Sequence, residues 1–152
     1  MVERFLEESN NIEGVFDNDS LEQATRAWEY VISQKELTPE VILKTHGILM
    51  RNQNLGIEEK GRFRRVGVRI GARYGLDWWL IEEAVKKWCK DIKKSKTKGE
   101  IREKHIAFEI IHPFVDGNGR VGRILLNWQR VKNDLPILVI RNAEKFLYYA
   151  WF

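Results

Sequence analysis

Apolar side chains recur along most of this chain at intervals of three and four, the spacing that gathers them on one face of an α-helix. Val2, Phe5, Leu6 and Ile12 predict a first helix, with Gly14 where a C-terminal cap belongs. Ser20 with Gln23 three residues on predicts a capping-box start for a second, carrying Leu21, Ala24, Trp28, Val31 and Ile32 on one stripe. Thr38, Pro39 and Glu40 predict a third start, continued by Ile42, Leu43, Ile48 and Leu49 and broken between Asn52 and Gly56. From Phe63 to Ile70 the period drops to two, with Phe63, Val66, Val68 and Ile70 set apart by arginines and one glycine, which predicts a strand or hairpin. Helical spacing returns at Leu80, Ala84, Val85, Trp88 and Ile92, then through Ile101 to Ile111 and Val121 to Val131. Leu135 to Ile140 is a short apolar run after a turn, and Glu144 to Phe152 predicts one more helix. The fold class is mainly α, a bundle of about six to eight helices with one small β element.

At 152 residues, 43% hydrophobic and 11% aromatic, the chain can bury one core and not two. No repeat or linker composition interrupts it, so residues 1–152 are expected to form a single domain. The segment from Met1 to Asn11 is charged and lacks a signal peptide's apolar centre, and no stretch approaches the roughly 18 apolar residues that span a bilayer. The expectation is a cytoplasmic protein with no membrane partner. Cys89, the one cysteine, cannot form an internal disulfide. A net charge of +4 and a pI near 9.2 favour anionic partners without selecting one. The basic charge concentrates at Arg62, Arg64, Arg65, Arg69 and Arg73 and again between Lys86 and Lys98, the latter reading as a wet helix face and loop.

The stretch His112 to Arg123 changes the picture. It ends one helix, on which His105, Phe108, Glu109 and His112 share a face, and launches another carrying Val121, Ile124, Leu125 and Trp128. Pro113 stops the first helix, and Gly117, Asn118 and Gly119 allow a tight turn. A glycine turn feeding a helix N-terminus presents unpaired amides and the positive end of the helix dipole, a phosphate site. Arg120 and Arg123, one turn apart, offer planar forks to the same anion. Asp116 would repel phosphate unless a cation such as Mg²⁺ lay between them. His112 has the reference pKa of a general base. Each residue alone has an ordinary structural explanation; their convergence in one turn is what argues for nucleotide chemistry.

Gly117, Gly119 and Gly122 also satisfy the GxGxxG dinucleotide fingerprint, with Glu144 downstream. A Rossmann unit requires a buried strand entering the first glycine, whereas a helix and Pro113 precede this one. A nucleic-acid-binding module is a second alternative, resting on the basic stretches. The arginine segment lacks the interleaved aromatics of single-strand binders, which argues against nucleic acid as a partner.

The sequence resembles the Fic family, whose signature HxFx(D/E)GNGRxxR is matched by His112, Phe114, Asp116, Gly117, Asn118, Gly119, Arg120 and Arg123. The resemblance extends to the helix containing His46, the arginine stretch before the β element, and the His105 to Phe108 run. It implies the Fic fold, a helical bundle with a β-hairpin flap, and transfer of AMP from ATP to a Ser, Thr or Tyr hydroxyl of a target protein. His112 would deprotonate that hydroxyl and Asp116 would hold Mg²⁺. Asn118 and the backbone of Gly117 and Gly119 would bind the α-phosphate region, Arg120 and Arg123 the outer phosphates, and Phe114 would anchor the loop. Gly119 stands where the kinase-like Doc branch has lysine, which favours nucleotidyl over phosphoryl transfer; UTP or GTP in place of ATP stays open.

Ser9, Glu13 and Gly14 resemble the family's inhibitory helix motif, which implies an N-terminal brake: Glu13 pairs with Arg123 and denies it to the γ-phosphate. Reversal of the modification is a further implication. The residues Val66, Gly67, Val68, Arg69 and Ile70 fall in the flap, roughly 62 to 73, that docks the target by strand addition. Tyr148 and Tyr149 lie where an adenine-facing aromatic or plain core packing are equal readings. Some relatives self-associate, so a homodimer is compatible with the resemblance.

Overall fold

The structure, a computed structural model, describes residues 1–152. Seven α-helices surround one hydrophobic core: α1 (Val2–Ile12), α2 (Asn18–Ile32), α3 (Pro39–Leu49), α4 (Ile81–Asp91), α5 (Lys98–Ile111), α6 (Asn118–Lys132) and α7 (Lys145–Tyr149). Two short strands, β1 (Arg69–Ile70) and β2 (Arg73–Tyr74), pair antiparallel, Arg69 opposite Tyr74 and Ile70 opposite Arg73.

Helix α6 is the axis of the bundle. Twelve of its fifteen residues are buried, polar ones included, because α1, α2, α3 and α5 all pack on it. A helix hidden on every side must satisfy its polar side chains internally. Asn127 does so by donating to the Leu138 carbonyl at 3.0 Å and accepting from the Leu138 amide at 2.8 Å. The apolar run Leu135 to Ile140 therefore lies extended against α6 without joining a sheet. Around the axis, Phe5 meets Trp28 edge-on at 5.7 Å between ring centroids, and Trp88 covers Phe108 at 5.2 Å.

Two expectations from local pattern are corrected. The cap of α2 is Asp17, whose carboxylate accepts from the Ser20 amide at 2.9 Å and from its hydroxyl at 2.8 Å; Ser20 sits inside the first turn. Asp competes as well as Ser for this position, and its two oxygens here satisfy two donors. The alternation from Phe63 does not produce a strand through Val66, Gly67 and Val68; the strands are confined to Arg69–Ile70 and Arg73–Tyr74, with one further bond from the Gly75 amide to the Val68 carbonyl at 2.9 Å. The cause is Arg64, a buried side chain whose guanidinium donates to the carbonyl of Val66 at 2.8 Å and to that of Leu76, drawing the base of the hairpin to itself.

Candidate nucleotide-transfer site

His112 caps the C-terminal end of α5 and adopts a left-handed conformation, φ 50° and ψ 63°, rare for a residue with a side chain. Such a backbone costs on the order of 1–3 kcal/mol and persists only where its surroundings fix it. Arg64 does the fixing: its Nε donates to the His112 carbonyl at 2.7 Å, its Nη2 to that of Ile111 at 3.3 Å, and its own amide to that of Pro113 at 2.9 Å. The hairpin base and the end of α5 are thus one unit. His112 Nδ1 lies 3.3 Å from the Glu109 carbonyl, which can only accept, so Nδ1 carries the proton and Nε2 is left as the basic nitrogen. Burial holds its pKa below the ordinary 6.5, against the pull of the Glu109 carbonyl.

The chain then folds into a cup. Phe114 is fully buried and stacks on His46 with ring centroids 3.8 Å apart. His46 Nδ1 accepts from the Gly61 amide at 2.9 Å, which places its proton on Nε2, facing the Asp116 carbonyl at 2.9 Å. Asn118 closes the turn, its side chain accepting from the Phe114 amide and donating to the Phe114 carbonyl, both at 2.8 Å. Gly117 caps α6 with φ 85°, a geometry that suits glycine. No side chain caps α6, and the amides of Asn118, Gly119 and Arg120 have no intramolecular partner. They border a cavity of about 110 Å³ lined by Glu13, His112, Val115 and the loop from Asp116 to Arg120. Three free donors at a helix N-terminus suit an anion.

The two arginines do not converge as their spacing suggests. Arg120, buried beside the small cavity, reaches Gln53 Oε1 at 3.3 Å and Met50 Sδ at 3.4 Å, while its Nε has no partner. Arg123 turns instead to α1: Nε donates to the Ser9 hydroxyl at 2.8 Å, and Nη2 to the Ser9 carbonyl at 3.0 Å and to Glu13 Oε1 at 2.7 Å. It borders a larger cavity of about 690 Å³, together with Ile70, Gly71, Ala72, Arg73, Glu109, Tyr148 and Tyr149. Glu13, His112 and Gly119 border both spaces. Glu13 stands at the very end of α1, and Gly14 follows at φ 72°. Of the flap residues, Ile70 faces the larger cavity, whereas Val66 borders a separate groove.

Asp116 spends one oxygen on the Gly117 amide at 2.8 Å. No cluster of three or more His, Cys, Asp or Glu side chains could cage a metal. One carboxylate with a second oxygen to spare fits a Mg²⁺ bound mainly through phosphate oxygens and water, and does not fit an all-protein site. Cys89 is buried, and burial pushes its thiol up to about 12, which removes it as a nucleophile.

Four contributors are not marked by the sequence pattern as plainly as the loop is. Arg64 looks like any other arginine of a basic stretch, and nothing local marks it as buried. His46 and His105 sit on buried helix faces where a core role and a functional one look alike; His105 Nε2 accepts from the Tyr148 hydroxyl at 2.7 Å. Glu109 carries a usable signal, a carboxylate on the same face as Phe108 and His112.

A helical bundle with a two-strand flap and this anion cup defines a Fic-type domain. The profile described as Fic/DOC family matches residues 36–129, more than half of the chain, and the chain belongs to that family. The probable protein adenylyltransferase aq_aa38 of Aquifex aeolicus is 60% identical over 43 residues, 28% of this chain and 13% of that protein. Protein adenylyltransferase fic-1 of Caenorhabditis elegans is 29% identical over 121 residues, 76% of this chain and 23% of its own length. The chain therefore spans a quarter or less of these curated relatives. Among solved structures, C. elegans Fic-1 superposes with a TM-score of 0.81 at 19% identity, over 97% of this chain and 53% of that one. A Fic-domain signaling protein from Bacteroides thetaiotaomicron superposes with a TM-score of 0.83 at 17% identity, over 97% and 69%. At such identities the likeness is one of fold. No helix is long and apolar enough to cross a membrane.

Proposed function

We propose that this domain transfers AMP from ATP to a Ser, Thr or Tyr hydroxyl of a target protein and is held off at rest by Glu13. The observation that carries the reading is the placement of His112 and three unpaired amides around one small cavity. Phosphate oxygens would bind the amides of Asn118, Gly119 and Arg120, with the buried Arg120 guanidinium adding charge from beside them. His112 Nε2 would take the proton of the attacking hydroxyl as its oxygen bonds to the α-phosphorus; the bond to the β-phosphate oxygen breaks and pyrophosphate leaves. Asp116 would hold Mg²⁺, which supplies charge neutralisation along the triphosphate. The larger cavity, with Ile70, Tyr148 and Tyr149, has the size and apolar character for the nucleoside.

In the resting arrangement Glu13 occupies the Nη2 edge of Arg123, which the terminal phosphate would use. A carboxylate there both blocks and repels that phosphate, so ATP is turned from its productive pose. Removal of AMP by the same glutamate, and the flap from Val66 to Ile70 as a docking edge, belong to this proposal as well; a two-residue β1 offers only a short edge to a target strand.

ATP labelled on the α-phosphate tests the reading. With Mg²⁺ and the Glu13→Gly variant, label should appear on the protein itself or on an added target, and His112→Ala introduced into that variant should abolish it. Label arriving only from the γ-phosphate would assign a Doc-like kinase instead.

A further inference from the structure

A second carboxyl group borders the cavity where Glu13 meets Arg123. Glu109 lies on α5, buried, beside the same cavity, and interacts electrostatically with both Arg123 and Glu13. Its Oε1 makes no hydrogen bond, an uncompensated cost for a carboxyl taken out of water. The seat is made by the absence of a side chain at Gly122: a Cβ there would come within 2.1 Å of Glu109 Oε1 and 3.1 Å of His105 Cε1. Five other groups face it. Glu13 comes from the end of α1, Arg123 from α6, Tyr148 from α7, His105 from one turn earlier on α5, and Arg73 from β2 across the cavity. His105 and Tyr148 are bonded to each other, and burial holds both neutral, lowering the first and raising the second. Arg123 spends Nε and Nη2 on Ser9 and Glu13, and its guanidinium also lies against the Tyr148 side chain, 5.5 Å from the ring centroid.

We propose that Glu109 is a positioning residue that holds Arg123 when Glu13 leaves it, the two carboxyls alternating as counter-ion to one buried guanidinium. At rest Glu109 is the protonated partner, since burial first, and then repulsion by Glu13, push it up to about 8 against the attraction of Arg123. Departure of Glu13 removes that repulsion and strands a cation in a region where an unpaired charge is costly. The O–H bond of Glu109 then breaks, its proton goes to water, and the carboxylate takes Arg123 from the α5 side. The edge that Glu13 covered is left turned to the cavity, so the guanidinium stays in place for a terminal phosphate. That last role rests on the proposed transfer of AMP; the exchange of carboxyls does not.

The test is a carbon-13 carboxyl NMR titration of glutamate-labelled protein without nucleotide, with Glu109→Gln identifying the resonance. In the unmodified chain the midpoint should lie near 8. In Glu13→Gly it should fall, as expected when a like charge is removed beside an opposite one. Glu13→Gln, which keeps the size of the side chain, should give the same fall and guards against a folding defect. An equal midpoint with and without the Glu13 carboxylate, or an ordinary carboxyl midpoint in the unmodified chain, overturns the proposal. Because no nucleotide is present, the titration tests the exchange of carboxyls whether or not the chain transfers AMP.

Discussion

Glu13 Oε1, at the end of α1, accepts a hydrogen bond of 2.7 Å from Arg123 Nη2 on the central helix, and with the two bonds from Arg123 to Ser9 this contact joins the N-terminal helix to the loop that begins at His112. Arg123 is buried and cannot move far, whereas the Glu13 side chain is 36% exposed. The mobile member of the pair is therefore the glutamate. A hydrogen bond to a charged group contributes about 1.5–3 kcal/mol, and water at Glu13 moves this pair to the low end. Glu13→Gly is expected to raise AMP transfer roughly tenfold, since about 1.4 kcal/mol is a factor of ten. Steady-state rates for the two chains check this, and equal rates would remove Glu13 as the brake.

Arg64 ties four carbonyls, those of Val66, Leu76, Ile111 and His112, with one side chain. Arg64→Ala leaves those carbonyls short of donors and frees the left-handed turn at His112. A loss of about 2–4 kcal/mol in urea unfolding is expected, from about one to three kcal/mol per unsatisfied buried group with partial relaxation. Faster amide exchange at Arg69 to Tyr74 should accompany it. Arg64→Lys should recover little, because an ammonium cannot span that fork.

Acid should weaken the fold before it protonates ordinary carboxylates. Burial lowers His46 to about 4 and His105 to about 3. Below 6.5 the unfolded chain takes up protons that the folded chain refuses, so stability falls as pH drops from 6.5 and levels off only below the folded values. At about 1.36 kcal/mol per pH unit, His46 alone contributes a loss of about 3 kcal/mol between 6.5 and about 4. Urea midpoints measured from pH 7 to 4 should decline steadily, and His46→Gln should flatten part of that slope.

Catalysis should tolerate mild acid better than an ordinary histidine allows. The base form of His112 persists below 6.5 because burial disfavours its cation. The acid limb of kcat/KM in Glu13→Gly, which reports the free enzyme, is expected below pH 6.5, with a plateau through neutrality. A limb centred above 6.5 would mean that His112 is stabilised as the cation.

Much of the molecule is legible in the sequence where the governing interactions are local. Thr38 and Pro39 start α3 as their pattern predicts, with the Thr38 hydroxyl accepting from the Val41 amide, and the Gly117 turn launches α6. The loop from His112 to Arg123 carries the residues by which the sequence resembles the Fic family, and the family match covers residues 36–129, that loop included. What is not legible depends on contacts distant in sequence. The hairpin is short because Arg64, one of several arginines in a basic stretch, is captured by the end of α5. Spacing alone pairs Arg123 with Arg120; its contact with Glu13, 110 residues earlier, is implied by the resemblance of Ser9, Glu13 and Gly14 to the inhibitory motif and not by any local pattern. Leu135 to Ile140 has a strand's composition but meets the Asn127 side chain instead of a neighbouring strand.

The most direct measurement is a crystal structure of Glu13→Gly with a non-hydrolysable ATP analogue and Mg²⁺. The account predicts phosphate oxygens on the amides of Asn118, Gly119 and Arg120, the terminal phosphate on Arg123, and the α-phosphorus on the side facing His112 Nε2. A triphosphate seated away from those amides, or an α-phosphorus that a hydroxyl could not attack while bonded to His112, would contradict it.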